Sequence, residues 1–81
     1  MKTRTYNEIA EITLTHARTI HDEALRWANN YTVLNGYCKE LNGLWQLFIL
    51  LCAGDENIYY PSSVELLRLI TEIRELALKA L

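Results

Sequence analysis

Two histidines, His16 and His21, stand beside an acidic pair, Asp22 and Glu23, in the first third of the chain. Imidazole and carboxylate side chains bind metal ions and move protons near neutral pH. Spacing decides whether these four can act together. Five residues along an α-helix turn through about 500°, or 140° net of a full turn, so two rings so placed diverge. Histidines that hold one ion from a single helix stand four apart. His16 and His21 therefore cannot chelate within one helix. A metal bound between two chains, with Glu23 as a further ligand, is the coordination chemistry left to them. A pH-sensitive contact is another use, because imidazoles ordinarily titrate near about 6.5. The plainer expectation is a pair of boundary histidines flanking a helix interface.

The other reactive side chains assemble into no catalytic arrangement. Cys38 and Cys52 are too few for a disulfide framework. On one helix they lie about 21 Å apart, which no disulfide spans. Both occupy apolar positions, where burial raises a thiol pKa rather than lowering it. Two buried thiols are expected, with a cross-chain disulfide in a parallel dimer as the alternative. Ser62 and Ser63 sit where helix capping accounts for them. Leu34-Asn35-Gly36 and Leu41-Asn42-Gly43 form a short repeat, without the spacing or the lysine of a phosphate loop. Asp55-Glu56-Asn57 is far shorter than a calcium loop. The expectation is no enzyme, no cofactor and no metal site within one chain.

Length and charge narrow the classes further. Eighty-one residues make one domain with a marginal core, and 51% apolar content favours burying part of it against a partner or a second copy. Eight basic and ten acidic residues leave a formal charge of −2 and no basic block. Nucleic-acid binding leaves a basic footprint. A nucleoprotein subunit would need Lys2, Arg4, Arg18, Arg26, Lys39 and Arg68 to converge on one face. No apolar stretch of signal-peptide form follows Met1. The longest apolar run, Leu47 to Ala53, falls well short of the roughly 20 residues that span a bilayer. A cytoplasmic, reducing setting with no membrane contact is expected.

These residues must be positioned by helices, because the apolar pattern is a heptad. Ala10, Ala17 and Ala24 mark position a, and Tyr6, Thr13, Ile20 and Trp27 mark d. The register continues through Tyr31, Leu34, Cys38, Leu41, Trp45, Phe48 and Cys52. Position f, opposite, reads Glu8, Thr15, Asp22 and Asn29, all polar. A 4-3 spacing puts one apolar seam on one helix face. Alanines in that seam let helix axes approach closely. The outer face offers i,i+4 pairs at Arg4–Glu8, Arg18–Asp22 and Asp22–Arg26.

Three helices are predicted, at about 3–30, 32–53 and 63–80, in a single all-α domain. The first is long and antiparallel to the second, and oligomerisation completes the bundle. Asn29-Asn30 is the expected stop of the first helix, and Gly54 a left-handed cap for the second. The alternative for the middle segment is a small meander, with each Asn-Gly a type I′ turn between strands Tyr31–Leu34, Tyr37–Leu41 and Leu44–Leu51. That would make the chain α+β. Leu47-Phe48-Ile49-Leu50-Leu51 does not alternate, so helix is preferred. The third helix opens on a capping box, Ser62 to Glu65. Its expected inner face is Leu66, Leu67, Ile70, Ile73, Ala77 and Leu81. Arg68–Glu72 and Glu75–Lys79 pair outside.

Leu44 to Ala53 is apolar on nearly every side, and a helix of that kind is surrounded. Two other helices of so short a chain cannot do that. The expected function is protein–protein interaction, as a homo-oligomer or as a small adaptor, subunit or inhibitor of a larger assembly. A virus-encoded inhibitor has this size and composition too. The residues expected at the interface are Ala10, Ala17, Ala24, Trp27, Trp45, Phe48, Tyr59 and Tyr60. The rival readings are the nucleoprotein subunit and a metal- or ligand-binding bundle built on His16, His21 and Glu23.

Overall fold

The heptad seam predicts where the first two helices turn their apolar side, and its positions from Ala10 to Ala24 and from Leu34 to Cys52 follow it closely. The structure is a computed structural model describing residues 6–52 and 61–81. It contains α1 (Tyr6–Leu25), α2 (Tyr31–Leu51) and α3 (Pro61–Lys79), each packed against the other two. The fold is all-α, with no strand among the described residues.

Ala10, Thr13, Ala17, Ile20 and Ala24 are all buried, an unbroken 3-4 seam along α1. On α2 the buried positions are Leu34, Cys38, Leu41, Phe48 and Cys52, and on α3 they are Ser63, Leu66, Leu69, Ile70, Ile73 and Ala77. These apolar residues form one core. The small seam of α1 and the bulky seams of α2 and α3 complement one another. Close approach on one side leaves room for leucine and phenylalanine on the others.

Cross-links between helices fix their directions. Arg18 Nη2 reaches Glu65 at 2.9 Å and His21 Nε2 lies 3.5 Å from Glu72. The numbers rise together along α1 and α3, so those helices run parallel. α2 returns between them after a short turn, and Arg74 Nη2 donates to Asn42 Oδ1 across α2 and α3 at 3.3 Å.

Several predicted boundaries move. α1 ends at Leu25, not at Asn29-Asn30. Tight turns close it, with Arg26 N–H donating to Glu23 O and Trp27 N–H to Ala24 O. Asn30 is extended, at φ −118° and ψ 98°, and its side chain accepts from the Val33 N–H. It starts α2 rather than ending α1. An asparagine serves better there, since an N-cap stabilises by about 1 kcal/mol while mid-helix asparagine is unfavourable. α2 ends at Leu51, with Cys52 at its C-cap; Ala53 and the predicted Gly54 cap lie outside the described residues.

The Asn-Gly meander is not formed. Residues 31–51 are one helix, and neither Gly36 nor Gly43 has the positive φ that a type I′ turn requires. α3 begins at Pro61, whose fixed φ and missing N–H suit a first helical position. Its Glu65 carboxylate takes Arg18 and Arg68. The inner face of α3 is rotated from the predicted one. Leu69 is buried, while Leu67 and Leu81 are exposed. Leu69 flanks the Leu66–Ile73 line on the side that meets the other helices, and Leu67 lies on the opposite flank. Arg68–Glu72 pairs at 3.0 Å as the spacing predicts, but Arg18 crosses to α3 and Arg26 turns to Glu23 at 3.5 Å. Arg4 lies outside the described residues.

Candidate interaction surface

The face of α2 turned away from the core carries part of the apolar surface that the bundle leaves uncovered; Ile12 on α1 and Val64, Leu67 and Leu78 on α3 are exposed as well. In the α2 heptad the outermost position holds Gly36, Gly43 and Leu50, seven residues apart. Polar side chains fill the same position on α1. Leu47 and Leu51 flank Leu50, and these three are 49%, 55% and 69% exposed in the order Leu47, Leu51, Leu50. Ile49 is partly exposed as well. Only Phe48 and Cys52 of this stretch are fully covered, because only the seam positions reach the other two helices.

The glycines are unusual in this setting. A glycine inside a helix costs roughly 1 kcal/mol relative to alanine. A Cβ added at Gly36 or Gly43 would meet nothing within 4 Å. No neighbour among the described residues requires their absence of a side chain. Gly43 instead helps form a shallow open groove of about 370 Å³ between α1 and α2, lined by His16, Ile20, Glu40, Gly43, Leu44 and Leu47. A second depression of about 360 Å³ follows the turn from Leu25 to Asn30 and includes Trp27.

The residues expected at an interface separate into three groups. Ala10, Ala17, Ala24 and Phe48 lie in the chain's own core, so the helices facing the alanine seam are α2 and α3 of the same chain. Trp45 is half-buried and stacks on Phe48 with ring centroids 5.9 Å apart. Trp27 falls in the α1–α2 turn, beyond the end of the seam, and is exposed. Tyr59 and Tyr60 lie outside the described residues. Leu47, Leu50 and Leu51 belong to the surface instead. The sequence carries their signal as an apolar run too wide for one seam, but weighting the a and d positions points to Trp45 and Phe48.

No family model, no curated protein and no solved structure matches this chain.

The candidate chemical groups are dispersed by the same geometry. His16 is exposed beside the groove, whereas His21 is wedged between α1 and α3. The His21 ring is 12% exposed, with Nδ1 3.7 Å from Asp22 and Nε2 3.5 Å from Glu72. That Nε2 is buried and makes no hydrogen bond among the described residues. Among the described residues no three of His, Cys, Asp and Glu come together as a metal site. Cys38 and Cys52 are buried, and no disulfide joins them. Arg18 and Arg68 meet at Glu65, which offsets their charge at that point. Lys2 and Arg4 lie outside the described residues. No helix among the described residues is long and apolar enough to cross a membrane.

Proposed function

We propose that this chain is a protein–protein interaction module, a small helical adaptor, subunit or inhibitor that acts by contact rather than by catalysis. One observation carries the reading. The last two turns of α2 expose Leu47, Leu50 and Leu51 side by side, although the core is already closed beneath them by Phe48 and Cys52. Contiguous exposed apolar side chains mark interaction sites on small proteins, whereas scattered ones do not. Aliphatic anchors beside an open groove supply shape, and the polar rim of Lys39, Glu40 and Gln46 supplies orientation. A setting inside the cell and the role of a virus-encoded inhibitor belong to the same proposal, on the strength of size and composition.

The test uses the full chain carrying a photo-crosslinker at Gln46, in extract from its native host. A defined protein is expected to be captured by the wild type and lost from the Leu47→Lys/Leu50→Lys variant. Equal capture by both forms, or capture by neither, removes the reading.

A further inference from the structure

We infer that His21 is a proton-operated clamp between α1 and α3, closed when its imidazole is protonated. Six side chains form one line across these two helices. Arg18 Nη2 lies 2.9 Å from Glu65, and Glu65 lies 3.7 Å from Arg68. Arg68 Nη1 lies 3.0 Å from Glu72, and Glu72 lies 3.5 Å from His21 Nε2. His21 Nδ1 then lies 3.7 Å from Asp22. Every second member is a carboxylate. With a neutral imidazole the line holds three anions and two cations. With an imidazolium the signs alternate from end to end.

Asp22 is left to the ring by its neighbours. Its two i,i+4 arginines, Arg18 and Arg26, turn to Glu65 and Glu23 instead. A neutral imidazole has one N–H and one lone pair, so it offers a donor to only one of the two carboxylates beside it. Its other nitrogen then presents a lone pair to an anion. The imidazolium has two N–H groups, one for Asp22 on α1 and one for Glu72 on α3. The buried Nε2, which makes no hydrogen bond among the described residues, is the atom that gains one. That bond joins one helix to the other. Among the described residues no ion pair joins the ring to α2, whose two charged residues are the exposed Lys39 and Glu40, beside His16 in the groove. Two effects keep the clamp modest. The ring is 12% exposed and Arg68 shares its Glu72 oxygen, and both oppose a second positive charge. Asp22 is 80% exposed and Glu72 45%, so solvent screens their attraction.

Thermal unfolding of the full chain tests the clamp at about pH 7.5 and about pH 5.5, either side of the ordinary imidazole range and above the ordinary carboxylate range. A fold that binds a proton through two carboxylates gains stability as pH falls through the imidazole range. The wild type is therefore expected to gain about 3–5 °C in melting temperature relative to His21→Gln on acidification. Glutamine keeps a polar side chain there without a proton to take up. Glu72→Gln alters a half-exposed position and is expected to remove most of the gain. His16→Gln is expected to leave the gain whole, which separates the clamp from the histidine in the groove. Equal changes in the wild type and His21→Gln overturn the inference. So does a gain that survives Glu72→Gln or disappears with His16→Gln. Should His21→Gln fail to fold, the response of Glu72→Gln against that of His16→Gln decides the outcome alone.

Discussion

α1 and α2 have nearly the same length, 20 and 21 residues, and opposite ways of using it. α1 buries small side chains, Ala10, Thr13, Ala17 and Ala24 with Ile20 among them, and its outermost heptad position is polar throughout. α2 buries large ones, with Leu34, Leu41 and Phe48 almost wholly covered, and its outermost position is Gly36, Gly43 and Leu50. The first helix leaves Ile12 and Leu25 exposed, far apart along a helix whose back is polar. The second has a finished inner face and an apolar outer face that folding does not cover. A helix whose back is polar needs only its own bundle, whereas an apolar back implies a second packing event.

The difference is broken most severely from the α2 side. Phe48→Ala removes a large ring from the middle of the core and is expected to cost about 3–5 kcal/mol. Against a typical total of about 5–15 kcal/mol, that loss should shift the urea midpoint far down or unfold the chain. α1 should fail in the opposite sense. Ala17 is fully buried, so Ala17→Leu overfills the close approach and is expected to cost about 1–3 kcal/mol. Ala17→Gly would also destabilise, but through helix propensity, by about 1 kcal/mol. A tolerated leucine at position 17 would show that α1 is not held close by its small seam.

Much of this contrast was legible in the sequence, and the misses have physical causes. The alanine heptad located the α1 core from Ala10 to Ala24 because a 3.5-residue period admits one buried face. Its unbroken phase into Leu34 and Cys38 suggested a helix reaching Asn30, yet the seam simply lacks a core position to fill beyond Ala24. Trp27 and Tyr31 keep the period and are exposed at helix ends. Asn30 looked like a stop because asparagine suits both ends of a helix; only the Val33 N–H on its side chain separates the two roles. Leu69 was missed because Leu66, Leu67, Leu69 and Ile70 are all apolar, and composition cannot say towards which flank the neighbours lie. The surface of α2 was legible as excess hydrophobicity but not as particular residues, since a fully apolar run contains no polar marker of its outer side.

Intermediate effects sharpen the boundary between the two helices. Asn30→Ala leaves the first turn of α2 without its side-chain acceptor and is expected to cost about 1 kcal/mol in thermal or urea unfolding. Asn29→Ala should change little by comparison, which separates the cap from a general turn preference. On the outer face the sign reverses. Gly36→Ala adds a methyl group where nothing lies within 4 Å, so it is expected to raise the stability of the monomer by about 0.5–1 kcal/mol. A destabilised Gly36→Ala monomer would mean that the glycine serves the single chain after all.

The smallest expected effect is the most discriminating. Leu50→Lys exchanges an apolar side chain, 69% exposed, for a charged one on the same helical backbone. Lysine and leucine have similar helix propensities, and the long stem of lysine lies along apolar neighbours while its ammonium reaches water. No core contact is lost and no buried group is left unpaired, so urea unfolding of dilute protein should change by no more than about 0.5 kcal/mol. Phe48, two residues away, is expected to be several times more sensitive. A steep fall in that sensitivity over two positions is what one finished face and one unfinished face on the same helix require. If Leu50→Lys instead cost as much as a core truncation in dilute protein, the outer leucines would already be packed within the single chain. The contrast between α1 and α2 would then vanish.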